Sequence, residues 1–417
     1  MSKKTNQVAL AGRTRRDFLK LAAAAVAAPY VITSAALGAN GRPPASDRIV
    51  MGGVGIGNQG SSDHGRFLGD NQVQYVAVCD VQQAKREKAK ARVDAKYGDS
   101  SCAAYNDFRE LLARPEIDAV HTACPDHWHA LITVAACRAG KDVYCQKPLS
   151  LTIADGRAMV DAARRYSRVV SGGSQRVLDD SGGLARQCWS GDIGQVKEVY
   201  VEVGGPSKPC NLPGQPVPEG LDWDMWLGPA PYAPYHPYRI SGSYNINGTC
   251  WRSWRDYSGG GMTDWGAHKF GGALFAVGLA HEGPVEVIPP DGKDVKLLTY
   301  VFANGIRMYH GSAPKGGGHS QAQITVFSTD EKTPAKPMPG YHGERDIHGD
   351  FLTCVRTRQR PFRDVEISHR TASVCHLGNI AYALKRPLKW DPVKEEFPGD
   401  EQANRFVSRA KRAPWSL

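Results

Sequence analysis

The sequence predicts an α/β protein, with a doubly wound parallel sheet in the N-terminal half followed by an α+β domain on a mostly antiparallel sheet. Three observations carry this. Short apolar runs alternate with helix-length segments from Asp47 to about Gly173, and strand-like alternation with hairpin signals takes over after about residue 195. The 417 residues also leave room for more than one core. Apolar residues at 41% and charged residues at 23% are ordinary globular usage, which excludes collagen-like, low-complexity and disordered chains.

In order along the chain, Arg48–Val54, Tyr75–Cys79, Ala119–Ala123 and Asp142–Cys145 read as strands. The helix-like segments Gln82–Tyr97, Asp107–Leu112 and His127–Ala139 lie between them, the last stopped by Gly140. Strands alternating with helices of this length imply right-handed crossovers and parallel pairing. Beyond them, Val196–Val203 alternates as a strand, and Leu297–His310 reads as a hairpin turning at Asn304-Gly305. Residues 204–258 are rich in Pro, Tyr, Trp and Gly, and Trp223, Trp226, Trp251 and Trp254 favour an ordered excursion that shapes a site. Asp346–Arg358 and Ser368–Leu384 read as helices. The expected division is a leader at 1–39, a first domain at 40–173, a second at 174–390 and a tail at 391–417.

The net charge of +10 is unevenly placed. Residues 1–39 carry Lys3, Lys4, Arg13, Arg15, Arg16 and Lys20 against Asp17, so half the excess sits in the leader. The remainder is too small to argue for nucleic acid. Paired Arg15-Arg16, an Ala-rich mildly apolar stretch to about Ala28 and small residues through Ala39 have the layout of a twin-arginine export signal. Pro29 and the low hydrophobicity of the Ala run argue against a stable membrane anchor. The expectation is therefore a periplasmic or otherwise exported protein handled by the twin-arginine machinery. The ten cysteines show no C-x-x-C or zinc spacing and read mainly as small buried hydrophobes, with a Cys210–Cys250 bridge as an option.

The chemistry-bearing motifs lie at strand ends. Gly55-Ile56-Gly57-Asn58-Gln59-Gly60 follows the first strand as G-x-G-x-x-G, and Asp80 stands 23 residues after Gly57 at the end of the second. The glycines allow a tight turn, close approach to pyrophosphate and close helix packing, while the carboxylate accepts from a ribose diol and would repel a 2′-phosphate. This favours NAD over NADP. Pro125-Asp126-His127-Trp128-His129, at the end of the third strand, sits on a ligand edge, with Pro125, His127 and His129 as cofactor contacts. An N-capping Asp126 beside surface histidines fits that pattern equally well. Gln146-Lys147-Pro148 follows the fourth strand and would bring Lys147 beside the nicotinamide. In Asp264-x-x-x-His268 the two side chains stand at i and i+4, so the carboxylate can orient the imidazole or join a proton relay. No third ligand for a metal is evident there. Arg176, Trp251 and Arg252 are candidate sugar contacts, through forked donors and an apolar ring face.

Taken together and in this order, the motifs resemble the Gfo/Idh/MocA oxidoreductases, over about residues 47–390, and look closest to an exported twin-arginine branch. The resemblance implies an N-terminal Rossmann domain for NAD(P), a C-terminal sheet domain that supplies the substrate site, and a homo-oligomer. It implies His268 as general base, Lys147 polarising the reacting hydroxyl and Asp264 as an orienting partner, with a sugar, polyol or glycoside as substrate. Two departures stand out: Gln146 replaces the family's Glu, and Gly271 stands where an Asp often follows the histidine. Some relatives resemble NAD-dependent glycosidases acting through a transient keto-sugar, although that branch lacks the Lys-Pro motif kept here. A non-catalytic sugar- or cofactor-binding protein is the remaining alternative.

Overall fold

The computed structural model describes residues 43–244, 248–329 and 331–417. The expected export signal lies outside the described residues. Two units are distinguished, residues 1–48 and 49–417. In the first, the described part holds a short 3-10 turn, Ala45–Asp47. No helix among the described residues is long and apolar enough to cross a membrane.

The second unit opens with β1 (Ile49–Val54), α1 (Asn58–Gly69), β2 (Val73–Cys79), α2 (Gln83–Tyr97), β3 (Ala103–Tyr105), α3 (Phe108–Leu112) and β4 (Ala119–Thr122). It continues through α4 (Asp126–Arg138), β5 (Asp142–Cys145), α5 (Ile153–Arg165) and β6 (Val170–Gly172). These six strands form one parallel sheet in the order β3-β2-β1-β4-β5-β6. The expected strands are present, and two short edge strands, β3 and β6, join them. At three residues each, they are too short to show a periodic signal. Chain direction across the sheet reverses between β1 and β4, which opens a crevice beyond their carboxyl ends.

Next come α6 (Arg176–Ser190), β7 (Val196–Val201), the short helices α7 (Trp223–Leu227), α8 (Pro237–Ile240) and α9 (Gly261–Asp264), and α10 (Gly266–Ala276). The second sheet is completed by β8 (Pro284–Ile288), β9 (Leu298–Phe302), β10 (Arg307–His310), β11 (His319–Gln321) and β12 (Ile324–Ser328). The chain ends with α11 (Ile347–Thr357), α12 (Val365–Leu384), β13 (Leu388–Lys389) and α13 (Glu401–Asn404). This sheet has the order β11-β12-β7-β10-β9-β8-β13 and is antiparallel except where β10 runs parallel to β7. The β9–β10 hairpin turns where expected, with Gly305 in the left-handed region at φ +86°.

The helices are shared between the sheets. Phe270 and Leu274 of α10 and Val374 and Leu377 of α12 pack on Tyr300, Met308 and Val326 of the second sheet. Helix α11, late in the chain, returns Ile347, Phe351 and Leu352 to the first sheet against Met51, Phe67 and Tyr144. The last residues pack as well: Phe397 and Ala403 join the second core, and Trp415 meets Trp128 edge-on at 4.7 Å. All ten cysteines are thiols, so Cys210 and Cys250 are not bridged. Among the described residues of loop 204–258, Trp223, Trp226, Trp251, Trp254 and Tyr257 form a cluster of their own, held by aromatic burial.

Candidate active site

The glycine-rich turn is built as its spacing requires. Gly55 is left-handed at φ +79°, a Cβ on Gly60 would collide with the Gly55 carbonyl oxygen, and the nearest atom to a Cβ on Gly57 is Lys85 Nζ at 3.9 Å. The backbone at Gly57 is thus open toward the crevice, and α1 begins at the next residue with its amides facing it. Asp80 closes the turn from the end of β2. Its Oδ2 accepts from Ile56 N at 2.8 Å and its Oδ1 from Gln82 N at 2.9 Å. Burial raises its pKa above the ordinary aspartate value, against the opposing pull of Lys85. Each oxygen keeps a second acceptor position for a ribose hydroxyl.

These groups line a cleft whose other walls include Asn106, Pro125, Trp128 and Ile132. Loop 204–258 forms its roof through Met225, Trp226, Ile240, Gly242, Trp251 and Arg252. The roof is fastened to the first sheet at several points. Asn58 Nδ2 donates to Ser243 Oγ at 2.9 Å, Asn106 Nδ2 to Asp222 Oδ2 at 2.7 Å and Gln83 N to Gly220 O at 2.8 Å. The open approach at Gly57 and the carboxylate at the end of the second strand both suit a nicotinamide dinucleotide. Gly55, Gly57, Asn58, Gln59, Asp80 and Pro125 are placed to hold it.

Several expected contacts are placed elsewhere. His127 pairs its Nε2 with Trp226 O at 3.1 Å, and His129 sits between Cys124 O and Pro148 O at 2.8 Å each, so both histidines tie loops together behind the cleft wall. Gln146 is buried beneath α1. Its Nε2 donates to Asp63 Oδ2 at 2.8 Å and its Oε1 accepts from Lys147 N at 3.2 Å. A glutamate at 146 would face the buried Asp63 carboxylate, which gives the Gln-for-Glu departure a physical cause. Trp251 and Arg252, expected at the sugar, also wall the cleft, with the Arg252 guanidinium 4.3 Å over the Trp251 ring.

Lys147, Asp264 and His268 converge where the two sheets meet. Lys147 Nζ reaches Asp264 Oδ1 at 2.5 Å and Asp264 O at 3.1 Å, and Arg252 Nε reaches the same Oδ1 at 3.1 Å. Burial would raise the Asp264 pKa, but Lys147 and Arg252 more than offset that and hold it below the ordinary value. The expected Asp264–His268 pair is therefore not formed. Two cations outcompete a neutral imidazole for the carboxylate, and a different residue orients the ring. Ser174, just beyond β6, donates Oγ–H to Ala267 O at 2.8 Å and lies 3.0 Å from His268 Nδ1. With its one proton committed, Ser174 Oγ accepts from Nδ1–H, which leaves His268 Nε2 as the unprotonated nitrogen. Burial, then Lys147, Arg176, Lys269 and Arg363, push the His268 pKa well below its ordinary value.

Asp126 is the residue that sequence reasoning missed. Pro125, not Asp126, is the cap of α4, and Asp126 is 1% exposed. Burial pushes its carboxyl up to about 7, with Ser258, Arg252 and Lys147 opposing the rise and Asp264 adding to it. Ser174 was equally silent, because one serine after an edge strand carries no motif. Arg176 opens α6, half-exposed, with its guanidinium 5.3 Å over the Trp265 ring. Gly271 adjoins the buried Arg363, whose Nη2 would lie 3.3 Å from a Cβ there.

Comparison with known proteins places this site. The NAD-binding Rossmann-fold model of the Gfo/Idh/MocA oxidoreductase family matches residues 48–174, and that family's C-terminal alpha/beta domain matches 206–300 and 314–417. A glycosyl hydrolase family 109 protein of Shewanella sp. (strain ANA-3) is 33% identical over 174 residues, 37% of this chain and 38% of that protein. Inositol 2-dehydrogenase of Salmonella typhimurium is 35% identical over 158 residues, 36% of this chain and 45% of that protein. The matches thus span less than half the length of either relative. Among solved structures, aldose-aldose oxidoreductase of Caulobacter crescentus, complexed with glycerol, has a TM-score of 0.54 at 18% identity, covering 82% of this chain and 99% of that one. The WlbA dehydrogenase of Bordetella pertussis, in complex with NADH and UDP-GlcNAcA, has a TM-score of 0.56 at 16% identity, with coverage of 82% and 99%. These two likenesses bear on the fold. With models for both halves matched along its length, the chain belongs to the Gfo/Idh/MocA oxidoreductase family, whose N-terminal domain is an NAD-binding Rossmann fold.

Proposed function

We propose that this protein is an exported oxidoreductase acting on a hydroxyl-bearing carbon of a sugar, polyol or glycoside, with NAD preferred over NADP and held tightly. The observation that carries the reading is the setting of His268: Ser174 Oγ lies 3.0 Å from Nδ1 and 2.8 Å from Ala267 O, which assigns the proton to Nδ1, and burial, then the neighbouring cations, keeps the ring neutral. A neutral Nε2 is a base for the substrate hydroxyl. When bound, the dinucleotide supplies a two-electron acceptor for the carbinol hydrogen. The chain's residues do the rest. Lys147 donates to the reacting oxygen, Asp264 and Arg252 fix the lysine's position, and His268 Nε2 takes the hydroxyl proton as the carbonyl forms. Asp80, beside the glycine-rich turn, supports NAD, since a 2′-phosphate would meet its carboxylate.

Export rests on Arg15-Arg16 and the Ala-rich stretch after them. An enzyme outside the cytoplasm benefits from keeping its cofactor, and the roof of loop 204–258 supports that. The same roof favours a second reading, in which the keto-sugar is transient, a glycoside is cleaved or an epimer formed, and the cofactor returns to its starting state within one cycle. Lys147→Ala tests the shared first step. Sugar-dependent reduction of bound NAD is expected to fall by about a thousandfold, while the dinucleotide remains bound. Unchanged reduction would remove Lys147 from the chemistry.

A further inference from the structure

We propose that the substrate carries a carboxylate, as a uronate sugar or its glycoside, and that Arg176 binds it at a subsite walled by Trp265; the inference rests on the sugar oxidoreductase reading above. Four cations act on the His268 imidazole: Lys147, Arg176, Lys269 and Arg363. The carboxylates nearby are largely committed. Asp264 Oδ1 is shared by Lys147 and Arg252, and Asp180 Oδ2 takes Lys269 Nζ at 2.9 Å. Asp179 accepts from Tyr341 Oη at 3.2 Å. Asp126, its pKa raised by burial to about 7, gives only part of a compensating charge near neutrality. Arg363, buried and with Nε lacking a hydrogen-bond partner, adds a cation that makes no ion pair among the described residues. Gly271, beside that same guanidinium, supplies no side chain to offset it. The site is therefore positive in excess of its own carboxylates.

Arg176 is where that excess reaches solvent. It stands two residues after Ser174, which holds the His268 ring, at the N-terminus of α6, whose amides add positive potential. Its side chain is 47% exposed, and its ion pair to Asp180 is 3.4 Å long on an oxygen that Lys269 holds more closely. Trp265, 40% exposed although it sits between site residues Asp264 and His268, lies under the guanidinium and meets the His268 ring edge-on at 5.9 Å. An exposed indole beside a forked donor, next to the proposed base, suits a pyranose whose apolar face meets the ring while its carboxylate engages the guanidinium.

The test compares matched pairs that differ in one group, methyl glucuronide against methyl glucoside and methyl galacturonide against methyl galactoside. Binding to the cofactor-loaded protein is followed by calorimetry, and reduction of the bound cofactor is followed in parallel. In at least one pair the uronide is expected to bind about ten- to a hundredfold more tightly, with Arg176→Gln erasing the difference and Trp265→Ala weakening both members. Equal binding within both pairs, no binding of any member, or a preference that survives Arg176→Gln would overturn the subsite. Tighter binding of glucose 6-phosphate than of either uronide would overturn the carboxylate. Neutral sugars that reduce the cofactor while uronides gain nothing would remove the subsite and leave the oxidoreductase standing. An Arg176-dependent uronide preference without any reduction would do the reverse.

Discussion

His268 and Asp126 are both buried titratable groups, and burial favours the neutral form of each. For His268 this keeps a base in its working state: with the pKa well below 6.5, protonation of the imidazole places the acid limb of kcat/KM well below that pH. A limb near 6.5 would mean that the ring is not buried among cations during turnover. Ser174→Ala removes the group that selects the tautomer. Turnover is expected to fall about ten- to a hundredfold, with the KM for sugar and retention of the dinucleotide little altered, as steady-state kinetics on the cofactor-loaded protein would show. Asp126 makes a stability prediction of definite sign. Its folded pKa, about 7, lies above the ordinary 3.8, so its contribution is fully present below about pH 4 and is lost as pH rises through about 7. Asp126→Asn should therefore gain stability relative to the parent between pH 4 and 8, by as much as about 4 kcal/mol. Denaturant melts at the two pH values check this, and a pH-independent difference would contradict it.

At the scale of elements, what was legible depended on whether a backbone requirement or a side-chain partner carried the signal. The turn from Gly55 to Gly60 and the carboxylate of Asp80 were legible because their roles follow from backbone geometry at a strand end. The strands at Tyr75–Cys79 and Asp142–Cys145 showed as apolar runs because a parallel sheet is covered on both faces. Asp264 and His268 misled, because i and i+4 spacing fixes which side of a helix they share but not which partners compete for each. Lys147 arrives from a distant segment, Arg252 from the loop before the helix, and Ser174 from beyond the end of another strand. The roof over the cleft was legible only as an aromatic-rich excursion, since its fastenings pair residues more than a hundred positions apart, as in Asn106 with Asp222. Asp222 also caps α7 by accepting from Met225 N at 2.9 Å. Asp222→Ala thus removes a charge-assisted bond and a cap, and dissociation of the dinucleotide should quicken by about tenfold or more. Displacement of bound cofactor by a labelled dinucleotide measures that rate, and an unchanged rate would mean that the roof does not gate release.

For the whole molecule, the two sheets are joined by helices that belong to both. Helix α11 returns to the first sheet, α12 spans the junction, and the chain end packs Trp415 against Trp128 behind the cleft. The dinucleotide cleft, Lys147 and His268 are thereby held within one packed unit, residues 49–417, so catalytic geometry need not await assembly from separate pieces. The central claim is that this unit keeps a nicotinamide dinucleotide and uses it on a sugar hydroxyl. The most direct test is mass spectrometry of the protein as purified in its native state, followed by its near-ultraviolet absorbance as sugars, uronates and glycosides are added. The account predicts a dinucleotide that copurifies and is reduced by at least one of these, either lastingly or transiently with a cleaved or epimerised product. A protein that carries no dinucleotide and fails to bind added NAD or NADP would contradict it.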